Sequence, residues 1–254
     1  MTPPDAPVLQ VRGLVKRFGG VPAVDGLDLD VAAGEILAVI GPNGAGKSTL
    51  LELVAGTLAP SASRGILLEG RELVGQPAHR IRRLGVATAR QDPQPLASLT
   101  VGDNVVLGAM FGGPTRESEA AARRLAAEQL ELVGLTEQAG WPVDRLTLQQ
   151  RRRLELARAL AGRPRLLLLD EVMAGSNADE LDASLAILRR VRDGSGIAIV
   201  WVEHVMRAVT QLADRVVVLA AGRVLADGAP AEVMGDERVV TAYLGGGTGH
   251  RAAG

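Results

Sequence analysis

The chain contains no cysteine, so disulfides and thiolate-bound metals have no place in any account of it. Aromatics are scarce: two Trp, two Phe and one Tyr make up 2% of 254 residues. The core must therefore be aliphatic, and a hydrophobic content of 47% is ample to build one. A basic excess is missing too. Lys and Arg total 28 against 29 Asp and Glu, a formal net charge of −1, which argues against a general nucleic-acid binder. No apolar run approaches the ~18 residues that a bilayer span requires. The opening Met1-Thr2-Pro3-Pro4-Asp5 has neither the basic nor the apolar segment of a secretory signal. The expectation is a soluble, cytoplasmic chain, one large domain or a domain carrying an insertion, still free to attach to a membrane partner.

What is present centres on Gly41-Pro42-Asn43-Gly44-Ala45-Gly46-Lys47-Ser48-Thr49. Before it, Ile36-Leu37-Ala38-Val39-Ile40 is short and apolar enough for a buried parallel strand. After it, Leu50 to Ala55 reads as a helix closed by Gly56. Strand, glycine loop, Gly-Lys-Ser and helix form the context of a phosphate-binding loop. Glycines let backbone N–H groups close around phosphate oxygens, and the helix points its positive end at them. Lys47 can reach the β- and γ-phosphates, and the Ser48 hydroxyl can ligate Mg²⁺.

The flanks fill in an alternating α/β pattern. Residues 8–12 and 27–31 alternate apolar and polar, as half-exposed antiparallel strands do. Phe18 between them can stack on an adenine face or simply pack a hairpin, and the residues alone leave both readings open. Leu84 to Ala89 reads as a buried strand ending at Arg90-Gln91. From Asp92-Pro93-Gln94-Pro95 the character changes. Thr100 caps one expected helix, 116–133 is an amphipathic second one stopped by Gly134, and Thr147 with Gln150 forms a capping box for a third. Residues 92–160 thus read as a helical insertion. The Arg151-Arg152-Arg153 triplet is read as a solvated or interdomain face in preference to a nucleic-acid patch, given Glu155 and the neutral overall charge.

Arg165 to Leu169 is a second apolar strand, delivering Asp170-Glu171 at its carboxyl end, where ligands sit in parallel α/β sheets. Asp170 can hold Mg²⁺ through its water shell, and Glu171 can accept a proton from an attacking water. Residues 179–193 read as a helix ending at Gly194, and Ile197 to Val202 as a third strand ending at Glu203-His204, with His204 placed to contact a γ-phosphate. Two final strands flank Ala221-Gly222, and the tail from Gly245 reads as disordered.

With these residues assembled, the chain resembles the nucleotide-binding subunit of an ABC transporter from Val8 to about Leu244, most closely the branched-chain (hydrophobic) amino acid importer ATPases. Arg17-Phe18-Gly19-Gly20, the Gly41–Thr49 loop, Arg153 to Arg158, Asp170-Glu171, Val202-Glu203-His204 and Ala242-Tyr243-Leu244-Gly245 carry the resemblance. It implies a P-loop NTPase fold: a RecA-like core with a mostly parallel sheet, an antiparallel β subdomain and an inserted α-helical subdomain. The expected division is 1–91 for the β subdomain and first part of the core, 92–160 for the helical subdomain, 161–244 for the rest of the core and 245–254 for the tail. By the same resemblance, Phe18 is the adenine-stacking aromatic and Gly41 to Thr49 the Walker A loop. Gln91 is the Q-loop glutamine that senses Mg²⁺ and the attacking water. Asp170 is the Walker B aspartate, Glu171 the catalytic base and His204 the switch histidine. ATP and Mg²⁺ are the implied cofactors. The implied partners are a second ATPase subunit, identical or paralogous, in a head-to-tail dimer, two integral membrane permeases and, indirectly, a periplasmic or extracellular solute-binding protein. No nucleic acid is implied, and the location is the inner face of the plasma membrane.

Two departures stand out. The signature, usually Leu-Ser-Gly-Gly-Gln, reads Leu146-Thr147-Leu148-Gln149-Gln150. Thr147 and Gln150 are expected to meet a partner subunit's γ-phosphate, but without either glycine close backbone approach is poorer. The proline that usually follows Asp-Glu is Val172. A lipid or lipopolysaccharide exporter ATPase shares much of this pattern. A soluble ABC protein acting on DNA or the ribosome would usually carry two cassettes or long charged insertions. A simple P-loop kinase does not account for Gln91, Glu171, His204 and the helical insertion together.

Overall fold

The computed structural model describes residues 7–245. The chain opens with β1 (Leu9–Phe18), β2 (Val21–Val31), β3 (Ile36–Ile40), α1 (Lys47–Ala55), β4 (Gly65–Leu68), β5 (Arg71–Glu72), α2 (Ala78–Leu84) and β6 (Val86–Ala89). Three helices follow: α3 (Val101–Phe111), α4 (Glu119–Val133) and, after a 3₁₀ turn at Val143–Arg145, α5 (Leu148–Leu160). The last part runs β7 (Leu166–Asp170), α6 (Ala178–Ser195), β8 (Ala198–Val202), α7 (Met206–Leu212), β9 (Arg215–Ala220), β10 (Arg223–Gly228), α8 (Pro230–Met234) and α9 (Glu237–Gly245).

Two sheets result. The smaller is antiparallel in the order β2-β1-β4-β5. The larger runs β10-β9-β3-β8-β7-β6, with every pair parallel except β9–β10. Side chains on its strands point alternately to opposite faces, and the alternation sorts the core. Leu166 and Leu168 on β7, with Ala198 and Val200 on β8, join α1 and the antiparallel sheet in one cluster. Leu167, Leu169, Ile199 and Trp201 face a second cluster shared with α3, α4, α5 and α6. Each fully buried aliphatic side chain contributes roughly 1.5–3 kcal/mol, so the near-total absence of aromatics costs the core little.

Helix ends follow local chemistry. Thr100 and Ser118 cap α3 and α4 by accepting from Asp103 and Ala121 amides. Gly56 and Gly134 close α1 and α4 in the left-handed conformation. Some boundaries differ from expectation. The strand expected from Leu84 begins at Val86, because Ala78–Leu84 is helical and Gly85 caps it. Helix α6 passes through Gly194 to Ser195 and is closed by Gly196. The helix expected from 116 starts at Glu119, after its Ser118 cap. Gly245, read as the start of the tail, is the last residue of α9; residues 246–254 lie outside the described part.

Candidate functional site

The glycine loop leaves the carboxyl end of β3, a strand buried on both faces. Gly41 and Gly46 both have positive φ, and a side chain on either would run into backbone, the Leu219 carbonyl at Gly41 and the Ala23 carbonyl at Gly46. These contacts, beyond any preference for turns, fix glycine there. Gly46 serves as the N-cap of α1 with no side-chain hydrogen bond to the helix, so amides at the start of α1 are left for a ligand. Lys47 is 7% exposed, and its ammonium donates to the Gly41 carbonyl at 2.8 Å and the Pro42 carbonyl at 3.0 Å. Burial pulls its pKa below the ordinary lysine value, against the attraction of Glu171 and Asp170.

Strands β7 and β8 bring the acidic side of the site. Ser48 Oγ donates to Asp170 Oδ1 at 3.2 Å, joining loop and strand end. Burial raises the Asp170 pKa, and the Ser48 bond opposes this. Glu171 sits at φ +48°, a strained value for a non-glycine residue, and its N–H donates to the Val202 carbonyl at 2.9 Å. His204 Nδ1 stands 3.8 Å from Glu171 Oε2. A cleft of about 470 Å³ collects Phe18, Ala23, Asn43, Gly44, Ala45, Gly46, Lys47, Ser48, Thr49 and Glu171. Phe18 stands half-exposed at its rim, its ring 5.2 Å from Lys16 Nζ, and is not a core aromatic.

Gln91 does not line that cleft. It is exposed and shares an adjoining hollow of about 220 Å³ with Asp170, Thr88 and Gln94. Thr147 and Gln150 also lie outside the cleft. They cap α5 reciprocally, Gln150 N–H to Thr147 Oγ1 at 3.2 Å and Thr147 N–H to Gln150 Oε1 at 3.0 Å. Where a glycine would be usual, Leu148 presents a side chain that leaves the residue 55% exposed.

Sequence reasoning gave Glu203 no role of its own. It is 1% exposed, and neither carboxylate oxygen has a well-formed hydrogen bond among the described residues. Burial, helped by repulsion from Glu171, pushes its pKa up to about 7; the His204 and Met173 amides and Arg152 offset this only in part. Its only sequence signal is an acid between a fully apolar strand and His204. Tyr243 on α9 gained no separate role from the sequence; partial burial raises its pKa, and the Gly41 N–H opposes this.

A buried strand, a glycine loop, an uncapped helix and an acidic strand end facing them define a P-loop nucleotide-binding ATPase of the α/β class. Residues 24–174 match the family model described as ABC transporter, and 223–248 match that of the branched-chain amino acid ATP-binding cassette transporter. The chain belongs to the ABC transporter ATP-binding family, and the activity that comes with this family is ATP hydrolysis. The high-affinity branched-chain amino acid transport ATP-binding protein BraF of Pseudomonas aeruginosa is 38% identical, with 94% of this chain and 98% of BraF covered. LivG of Escherichia coli, of the same description, is 35% identical over 94% and 98%. The ADP conformation of MJ1267, an ATP-binding cassette of an ABC transporter, superposes with a TM-score of 0.84 at 26% identity, covering 94% of this chain and 99% of that one.

Proposed function

We propose that the chain energises import of branched-chain or other hydrophobic amino acids through a membrane permease. The observation that carries this reading is the joint match of residues 223–248 to the branched-chain cassette model and of nearly the whole chain to BraF and LivG. In this reading the Gly41–Thr49 loop wraps the nucleotide's phosphates with backbone N–H groups, Lys47 exchanges its loop carbonyls for β- and γ-phosphate oxygens, and Phe18 stacks on the base. Glu171 takes the proton of the attacking water, and His204, within reach of Glu171, orients it and contacts the γ-phosphate. Ser48, Asp170 and Gln91 supply hard oxygen donors suited to Mg²⁺, and the Ser48–Asp170 contact at 3.2 Å already pairs two of them. When bound, Mg²⁺ would neutralise charge on the phosphates.

Thr147 and Gln150 meet the nucleotide of a second ATPase subunit, identical or paralogous, in a head-to-tail dimer. The Thr147 oxygen accepts from Gln150 N–H within its own helix, which leaves the hydroxyl proton to donate to a phosphate. Residues 92–160 form the helical subdomain between the two parts of the core. The dimer docks on two permease subunits at the inner face of the plasma membrane, fed by a periplasmic or extracellular solute-binding protein. Co-purification with the membrane proteins encoded beside its gene, followed by reconstitution in proteoliposomes, tests this. The reading expects ATP hydrolysis stimulated by a leucine-, isoleucine- or valine-loaded binding protein. Stimulation by a lipid substrate instead, with none by these amino acids, contradicts it.

A further inference from the structure

Glu155 is an acid where an amphipathic helix should bury an apolar residue. It lies on the inner face of α5 between Leu154 and Ala157 and is 6% exposed. Its carboxylate accepts the Gln94 N–H at 3.0 Å, and its two oxygens share the single Arg158 Nη2 at 2.6 and 2.7 Å. Arg158 in turn donates to the Gln94 carbonyl at 3.2 Å. Two side chains one turn apart on α5 therefore hold both backbone groups of one residue. Asn104, fully buried on α3, repeats the device two residues on, binding the Leu96 N–H at 2.8 Å and the Leu96 carbonyl at 3.2 Å.

The residues between and before these clamps leave little slack. Pro93 and Pro95 flank Gln94, and prolines fix their own φ and restrict the preceding residue. Holding Gln94 therefore constrains the backbone back toward Gln91, which lines the same hollow beside Asp170. Stability alone is a poor reason for such a pair, because an ion pair buried this deeply is often matched or surpassed by apolar residues of similar volume. The same helix also grips the loop after Glu171. Gln149 Nε2 donates to Ser176 Oγ at 2.9 Å, and Arg152 donates to the Ala174 carbonyl.

We infer that Glu155, braced by Arg158, is a positioning residue that holds Gln91 to the helix carrying Thr147. A rigid shift of α5 then moves Thr147, the loop after Glu171 and the Gln91 segment together, so the signature end and the hydrolytic end of the site respond as one. The inference rests on the reading of Gln91 as a contact to Mg²⁺ and water.

The test measures steady-state ATP hydrolysis of the assembled transporter with Glu155→Gln, alone and combined with Gln91→Ala, alongside amide hydrogen exchange at Asp92, Gln94 and Leu96. In the otherwise native protein Glu155→Gln should lower kcat about tenfold with KM for ATP nearly unchanged, the size expected of a slightly misplaced group. Exchange at the Asp92, Gln94 and Leu96 amides should accelerate more than elsewhere, and the thermal midpoint should fall as well, because the half-buried Arg158 loses its partner. Arg158→Lys, which keeps charge and loses the planar fork, should give an intermediate kcat. In the Gln91→Ala background, Glu155→Gln should add less than about a twofold change, because both act through one group. Multiplied effects in the double variant, or a fall in thermal midpoint with kcat untouched, overturn the inference. An unaffected kcat in Gln91→Ala alone overturns the reading of Gln91 beneath it, and the inference with it.

Discussion

Helices α1 and α5 begin in opposite ways. The first turn of α1 has a glycine cap in the left-handed conformation and no side chain bonded to its amides. The first turn of α5 has a complete capping box. A glycine in place of a capping side chain costs only a few tenths of a kcal/mol in an ordinary helix, and α1 is the helix that faces the glycine-loop cleft. In the proposed reading its open amides and its dipole are the binding device, and a cap would compete with the ligand. At α5 Thr147 and Gln150 have already satisfied the helix end, so what remains for a second subunit is one hydroxyl proton and the N–H groups at the very start of the helix. The contrast separates two kinds of site: one built to grip, and one able to touch only when another molecule is brought to it.

The largest expected effect strikes the gripping half. Gly46→Ala drives a methyl group into the Ala23 carbonyl at a positive φ, so it should cost several kcal/mol, lower the thermal midpoint by many degrees and abolish nucleotide binding. A Gly46→Ala protein that binds nucleotide normally in a fluorescence titration would break the comparison at its firmer end.

A second prediction concerns the acid under the hydrolytic side. Glu203 has a folded pKa of about 7, above its ordinary 4.5. The native state therefore binds more protons than the unfolded state between these values, and stability falls as pH rises through that window. The loss amounts to at most about 3 kcal/mol. Glu203→Gln should remove this slope and raise the thermal midpoint at pH 8 more than at pH 5. Equal shifts at both pH values would show that Glu203 does not titrate there.

The smallest effect belongs to the capped end. Thr147→Ala should cost about 1 kcal/mol by denaturant unfolding, the value of a helix cap, and should leave nucleotide affinity of the isolated subunit unchanged. A several-fold loss of affinity in the monomer would join the two regions into one site and erase the contrast.

The gripping half was legible because its signal is local. The strand at 36–40, the loop and Gly56 lie within about twenty consecutive residues, and each has one physical reading. The capping box was equally plain from Thr147 and Gln150. Helix α2 was not, because among Ala78–Leu84 only Ile81 is fully buried and a basic run shows no apolar period. Gly194 looked like a stop, yet a glycine in the last turn only weakens a helix, and Gly196 does the closing. For Phe18 the residues alone leave cleft and hairpin both open, the family resemblance points to the cleft, and the structure puts the ring at its rim. The clamps of Glu155 and Asn104 were invisible for another reason. They are side chain to backbone bonds spanning 61 residues in one case and 8 in the other, and their partners carry no distinctive residue type.

The proposed mechanism divides labour: Gly41 to Ser48 bind and Glu171 reacts. Glu171→Gln keeps the shape of the side chain and removes its basicity. Parallel measurement of MgATP affinity and steady-state hydrolysis in this variant is the most direct test. The prediction is affinity within about twofold of the native protein and hydrolysis lowered at least ~100-fold, the lower end of what a positioned base contributes. Hydrolysis at the native rate would contradict it.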